Sequence, residues 1–402
     1  MKIYQINVVC GSGSTGRIAV DLAHTIEKKG HACRIAYGRG QVPMNVDAVK
    51  ISNRLDLYWH ALMSRLTGKH GLYSGCATRK LIKDIQQYQP DIIHLHNIHG
   101  YYVNYNLLFH FLKEYGKPIV WTMHDCWAFT GHCAHYESVG CNQWKTLCRR
   151  CTNLRAYPKA FSGFSVTDNF KRKENCFSTV ENMTIVTPSF WLKQQIEESF
   201  LKHRPCVTIP NGINLSIFRP LESDLRKRLN FEGKKVLLGV ANVWTAKKGF
   251  DDFIRLRKML EERYVICMIG LSQSQIDKLP EGMIGVAKTD SVEELAQYYS
   301  MADVLLNLTY EDTFPTTNIE AIACGTPVIT YRTGGSPEIL DESCGAVAKA
   351  GNLQEVVYLL ERWLRSKNDY RQACLDRAQE FEKDHCYEKY MELYQSIQRG
   401  VK

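Results

Sequence analysis

The sequence predicts an α/β protein built as two doubly wound, Rossmann-like domains, and three observations carry that reading. Its 402 residues are too many for one hydrophobic core and suit two. Apolar runs of strand length alternate with helical patterns from end to end, as parallel sheets require. A glycine-rich turn follows the first such run, and a polar turn before a helix recurs near residue 312.

In the first half the strands are expected at 3–9, 33–37, 92–95, 119–123 and 184–187, with a helix at 17–28 after the glycine turn. In the second half they fall at 235–240, 264–269, 283–286, 304–308 and 328–331. The turn Pro210-Asn211-Gly212 marks the linker. The expected domains are 1–205, with a cysteine-rich loop at 126–153, then 206–380, and a closing helical segment at 381–402.

A composition of 45% hydrophobic and 23% charged residues is that of a globular chain. The first apolar run is too short for a signal peptide, and no run approaches the ~20 apolar residues of a membrane span. The expected location is the cytoplasm, with peripheral contact at the inner face of a membrane. That contact follows from the charge. Residues 1–185 hold 23 Lys and Arg against 12 Asp and Glu, while the remainder is near balance. A basic half points to an anionic partner, such as an acidic leaflet, a lipid-linked phosphate or nucleic acid, or to a merely solvated surface.

Residues 304–338, VLLNLTYEDTFPTTNIEAIACGTPVITYRTGGSPE, carry the most functional information. An apolar run leads into a loop holding Glu311 and Asp312. A helical run at 318–324 follows and carries Glu320. A strand, loop and helix entrance point backbone N–H groups at one spot, where the helix dipole favours an anion such as phosphate. Glu320 can accept hydrogen bonds from ribose hydroxyls. The bland alternative is an ordinary crossover with solvated acids.

This segment resembles the donor-binding signature of glycosyltransferase family 4. There an acid, seven intervening residues and a glutamate precede a Gly-x-Pro-Val run, which falls here on Asp312, Glu320, Gly325, Pro327 and Val328. The family usually has glutamate at the first position. Here it is aspartate, with Glu311 one register away. The resemblance implies the GT-B architecture, two Rossmann-like domains facing a central cleft, and covers most of residues 1–340. It implies that Glu320 holds the donor ribose and that Asp312 (or Glu311) orients the donor sugar. Lys248, with the loop around Phe314, Pro315, Thr316, Thr317 and Asn318, would steady the diphosphate. Lys248 lies in VANVWTAKKGFDDFI (240–254), where the family's arginine is missing and Lys247 is the candidate for its charge. The aromatic segment from Tyr387 to Tyr394 is the candidate for a helix that crosses back to the N-terminal domain.

The N-terminal loop Gly11-Ser12-Gly13-Ser14-Thr15-Gly16 matches a dinucleotide fingerprint. No acid closes the second strand, which ends on Arg39, so an NADP oxidoreductase is the reading that survives from the fingerprint alone. The resemblance gives the loop another task, with Gly13 near the donor phosphates and Gly11 framing the acceptor. His94 and His96, with His99, sit at a strand end and are assigned to substrate hydroxyls rather than to a metal. His124 and Asp125 end the next strand. The resemblance places His124 on the transferred hexose, with Asp125 on the acceptor side or simply capping a helix.

Cys133, Cys141, Cys148 and Cys151 lie in a long polar loop, and a C-x2-C pair with two more thiols matches a structural four-thiolate zinc site. The other reading is free thiols in a mobile loop. No cofactor is expected to be needed for catalysis.

Together these features predict a retaining glycosyltransferase. It would transfer a hexosyl group from a UDP- or GDP-type nucleotide-sugar to a glycan or lipid-linked acceptor, with the leaving phosphate taking the acceptor proton. The alternatives are a sugar-nucleotide epimerase of the same fold and the NADP oxidoreductase. A zinc-stapled nucleic-acid binder would not need the donor pocket, so nucleic acid is not an expected partner.

Overall fold

The computed structural model describes residues 1–365 and 370–400, and residues 401–402 of the expected closing segment lie outside it. The chain divides into two compact units. One holds Met1–Pro210 with the residues from Tyr387 on, the other Asn211–Cys386.

In the first unit β1 (Lys2–Val9) leads through α1 (Gly13–Lys28) to β2 (Ala32–Arg39) and the short β3 (Ala48–Lys50). Then come α2 (Arg54–Thr67), α3 (Gly75–Tyr88), β4 (Ile92–Leu95), α4 (Tyr105–Tyr115) and β5 (Ile119–Thr122). After a long loop, α5 (Val166–Phe177), β6 (Met183–Thr187), α6 (Phe190–Glu197) and β7 (Cys206–Thr208) complete it. The seven strands pair in parallel in the order β3-β2-β1-β4-β5-β6-β7. Strands covered on both faces read as unbroken apolar runs, and β4 (IIHL) and β5 (IVWT) are buried at every position.

The second unit runs through α7 (Leu225–Arg228), β8 (Lys235–Val240), α8 (Phe250–Arg257), β9 (Tyr264–Ile269), α9 (Gln273–Ile276), β10 (Met283–Val286) and α10 (Val292–Met301). It continues with β11 (Val304–Asn307), α11 (Thr316–Ala323), β12 (Val328–Tyr331), β13 (Gly345–Ala348), α12 (Leu353–Arg365) and α13 (Tyr370–Gln379). The last helix, α14 (Lys383–Gln398), starts in this unit and continues into the residues of the first. Its sheet is also all parallel, in the order β10-β9-β8-β11-β12-β13. Alternate residues serve opposite faces. Val236, Leu238 and Leu305 enter one core, and Leu237, Val304 and Leu306 the other.

The cysteine loop differs from its expected character. It is not short of core-forming residues, because Trp127, Phe129, Tyr136 and Trp144 are all buried in the first unit's core. Trp144 packs at 5.2 Å from Phe129 and 4.9 Å from Tyr136, ring centre to ring centre. The buried Lys173 amine donates to the Trp127 and Thr130 carbonyls at 2.6 and 3.0 Å, and burial lowers its pKa to about 7. Aromatic packing and this amine hold the loop.

A close backbone approach requires glycine at several positions, among them the end of the lysine turn. Gly249, at φ +79°, follows the turn carrying Lys247 and Lys248, and a Cβ there would meet the Leu308 carbonyl oxygen at 2.2 Å. Gly233 has a similar φ of +73° but nothing within 4 Å of its Cβ position. Gly249→Ala is therefore expected to destabilise the protein by at least about 2 kcal/mol, and Gly233→Ala by only the left-handed penalty of about 1 kcal/mol. Denaturant unfolding of the two variants checks the difference.

Candidate active site

In an open parallel sheet, ligands bind beyond the carboxyl ends of the strands where the strand order reverses. In the second unit that point lies between β8 and β11, and the lysine turn follows one strand while the carboxylate loop follows the other. The two segments are joined directly. The Lys247 amine donates to both Glu311 carboxylate oxygens at 2.8 Å, and the Lys248 amine donates to Asp312 Oδ2 at 2.8 Å. The Tyr310 amide adds a bond to the Lys247 carbonyl, also 2.8 Å. Beneath the loop, the buried Asp252 carboxylate accepts from the hydroxyls of Tyr310 and Tyr331 at 2.6 and 2.7 Å and from Arg255. Burial and the bond to Asp252 push Tyr310 up to about 12.

The helix α11 starts at Thr316 rather than at 318. Pro315 is its N-cap, no side chain caps it, and its first turn has no acid. Not all of the loop amides expected to face a diphosphate remain available. Phe314 N–H donates to Asp312 Oδ1 at 3.3 Å, Pro315 has no N–H, and Asn318 N–H donates to the Pro315 carbonyl at 3.2 Å. The Phe314 ring is buried in the core rather than facing a pocket. Thr316 and Thr317 are half-exposed in the first turn. Asn318 is fully buried. Its Oδ1 accepts from Asn307, while its Nδ2 has no partner among the described residues. Glu320 is also buried, and the Tyr299 hydroxyl donates to its Oε2 at 2.8 Å.

In the first unit the order reverses between β1 and β4. The glycine loop closes on itself through a Gly11 N–H to Gly16 carbonyl bond of 3.0 Å, with Gly11 and Gly13 at φ +72° and +65°. Buried Asn7 braces it, donating to the Thr15 carbonyl and accepting from the Asn97 amide beyond β4. Arg39 ends β2 and is exposed.

The structure corrects the assignment of His94 and His96 to substrate. Both are buried, and both nitrogens of each ring are engaged within the chain. His94 bonds the Tyr394 hydroxyl at 2.6 Å and Thr122 at 2.8 Å. His96 bonds Gln5 at 2.8 Å and His124 Nε2 at 3.1 Å. His124 is the partly exposed end of this hydrogen-bonded chain. Burial lowers His94 to about 3 and His124 to about 4, so both rings are neutral at pH 7. Burial alone would raise the Asp125 carboxyl, but the adjacent His99, 2.8 Å away, and the Trp127 amide hold it down to about 2. Asp125 caps the turn at Trp127 and orients His99.

Among the described residues no three His, Cys, Asp or Glu side chains are grouped to hold a metal ion. Cys133, Cys141, Cys148 and Cys151 do line one small cavity. Cys133 and Cys151 share a thiol hydrogen bond, and the Gly131 N–H donates to the Cys148 sulfur at 3.2 Å.

Sequence reasoning missed Tyr299, Asp252, Asn7 and Gln5, each a buried or half-buried partner far along the chain from the group it holds. The i, i+4 spacing of Tyr390 and Tyr394 was the one available signal for the tyrosines that meet Thr122 and His94.

Two parallel α/β units, each with its polar loops at the strand-order reversal, define a two-domain α/β protein of GT-B fold. Residues 15–217 match Glycosyltransferase Family 4 and residues 222–381 match Glycosyl transferases group 1. The chain belongs to glycosyltransferase family 4 and is a glycosyltransferase. The oxidoreductase and epimerase readings fall away. A putative colanic acid biosynthesis glycosyl transferase, WcaC, of Escherichia coli (strain K12) is 24% identical over 376 residues, spanning 89% of this chain and 90% of its own. An N,N'-diacetylbacillosaminyl-diphospho-undecaprenol alpha-1,3-N-acetylgalactosaminyltransferase of Campylobacter jejuni is 26% identical over 219 residues, 50% of this chain and 56% of its own. Among solved structures, sucrose-phosphate synthase from Thermosynechococcus elongatus aligns over 100% of both chains with a TM-score of 0.74 at 15% identity. Anabaena Alr3699/HepE in complex with UDP-glucose aligns over 98% of this chain and 100% of its own, with a TM-score of 0.66 at 13% identity.

The neutral imidazoles have a pH signature. A histidine with a depressed folded pKa stabilises the fold above the unfolded pKa of about 6.5, and that contribution is lost as pH falls toward the folded value. Between about pH 6 and 4 each such ring steepens the stability profile by about 1.4 kcal/mol per pH unit. His94→Gln is expected to reduce the slope by that amount in urea unfolding across this range. An unchanged slope would mean that His94 is already protonated in the folded protein.

Proposed function

We propose that the protein is a retaining hexosyltransferase that takes its sugar from a UDP- or GDP-type nucleotide-sugar and delivers it to a hydroxyl of a glycan, lipid-linked in the fullest form of the proposal. The observation that carries the reading is the paired cluster Lys247–Glu311 and Lys248–Asp312 beside the uncapped start of α11. Glu320 would accept from the ribose. Thr316, Thr317 and the Asn318 side-chain Nδ2 would meet the diphosphate together with Lys248 and Lys247.

The geometry favours Asp312 over Glu311 as the acid that orients the donor sugar. Glu311 is buried with both oxygens on Lys247, whereas the Asp312 side chain is 22% exposed. Both acids are held by lysines, which supports departure of the diphosphate as the driven step rather than attack by a carboxylate nucleophile. In the first unit His124 is the candidate for a sugar hydroxyl. The UDP complexes of Alr3699/HepE and the undecaprenol-linked substrate in the Campylobacter relative's name support the donor and acceptor classes. The basic first unit supports work at the inner face of a membrane.

Calorimetry with UDP, GDP and ADP and their hexose conjugates tests the donor site. One nucleotide series should bind, and Glu320→Gln should weaken it about ten- to hundredfold, as for a lost hydrogen bond to a charged group. Asp312→Asn leaves the Lys248 amine without its anion. It should bind the nucleotide at least as tightly while transfer falls on the order of a hundredfold, as for a misplaced donor sugar. Retention is checked by NMR of the product, whose new anomeric configuration should equal the donor's. No nucleotide binding by the folded protein would refute the donor site.

A further inference from the structure

The helix α2 is built inside out. Its two buried residues are polar, His60 and Ser64, with His60 Nδ1 bonded to the Ser74 hydroxyl at 2.8 Å, and Leu57 is only partly buried against the core. Its outward side carries Leu55, Tyr58, Trp59, Leu62 and Leu66, between 48% and 81% exposed. Their spacing of three, four, seven and eleven residues places them on one stripe. Arg54 and Arg65 are exposed along the stripe's edge, and Lys69 is exposed just past the helix. The helix's one acid, Asp56, is turned away, its carboxylate accepting from the buried Ser52 hydroxyl at 3.0 Å.

A second segment extends the stripe. The Phe161 amide donates to the Arg65 carbonyl at 2.9 Å, and the Ser165 hydroxyl donates to the Thr67 carbonyl at 2.6 Å. This places the turn at 161–164 at the end of α2, with Phe161 76% and Phe164 93% exposed and Lys159 exposed nearby. Of the fourteen exposed large apolar side chains among the described residues, seven lie on α2 and this turn. Scattered exposure needs no explanation, but a contiguous patch does. The helix needs no partner to hold its form, since Asn53 caps it at one end and the left-handed Gly68 at the other.

We propose that this face inserts into the headgroup region of an anionic bilayer. An apolar stripe with Trp and Tyr, edged by arginine and lysine and free of acids, is the chemistry of an interfacial helix. The unit around it agrees, with 29 Lys and Arg against 16 Asp and Glu in residues 1–210 and 387–402. A second copy of the chain fits less well, because two-fold pairing of this face would set its own cations against each other. The inference rests on the proposed membrane contact and assigns it to a surface.

The test is co-sedimentation of the full chain with vesicles of phosphatidylglycerol and phosphatidylcholine, and with phosphatidylcholine alone. The wild type should pellet with the anionic vesicles and lose that binding at high salt. Trp59→Glu with Leu62→Glu should lower partitioning at least about tenfold, as expected for withholding large apolar side chains from the bilayer. Arg54→Gln with Arg65→Gln should lower it several-fold and flatten the salt dependence. Nucleotide binding by each variant checks that the fold is intact. Wild-type pelleting that survives the Trp59 and Leu62 changes would overturn the assignment to α2 while sparing the membrane contact. A wild type that ignores anionic vesicles would overturn both. A dimer in light scattering that these changes split would give the face to a second copy and overturn the proposal.

Discussion

The two lysine–carboxylate pairs between the turn after β8 and the loop after β11 are the constraint on which the second unit's site depends. Partly exposed ion pairs add less than about 1 kcal/mol each, so their effect on stability is small. Their effect on position is larger. Both segments leave neighbouring strands at the point where the sheet reverses, and neither can lie against a further strand there. They are fixed against each other by the pairs, by the Tyr310–Lys247 backbone bond and by the contact that only a glycine at 249 permits. Asp252 and its two tyrosines hold the same loop from below.

The first unit solves the same problem with neutral groups. Gln5, His96 and His124 form a continuous hydrogen-bonded chain from the middle of β1 to the end of β5. Unpaired, such imidazoles would be costly to bury, but these share their ring nitrogens with one another and with hydroxyls. Tyr390 and Tyr394 complete the set by bonding Thr122 and His94. The last helix of the chain is therefore part of the scaffold that sets where His124 stands, although more than 250 residues separate them in sequence.

The parallel strands were legible because burial on both faces writes them as apolar runs, and β4, β8, β9, β10 and β12 fall where those runs predict. β13 was not, since Gly345–Ala348 (GAVA) has one residue of strong strand preference and reads as a turn's continuation. The three-residue β3 offers too little sequence to show a period. At α11 the proline at 315 hid a helix start that lay two residues before the expected one. The strand-end histidines were found at the right place but with the wrong task, because spacing does not say whether a ring nitrogen meets solvent or Tyr394. The cysteine loop was misjudged for a similar reason. Its aromatics have no period, and only the fold shows that they share one core.

On the proposed reading, the charge balance of the donor loop has a further consequence. Each lysine already faces a carboxylate 2.8 Å away, so the cluster offers an incoming anion little net charge. Initial attraction then falls to the uncapped amides of α11 and the unpartnered Asn318 Nδ2, which are fixed dipoles rather than mobile charges. Charge on the leaving diphosphate grows as the sugar departs, and at that stage the lysines matter most. A lone lysine is a flexible point charge and a poor substitute for an arginine fork. Two lysines each tethered by a carboxylate recover much of the fork's positional restraint, so that stabilisation of the developing charge requires little rearrangement of the protein.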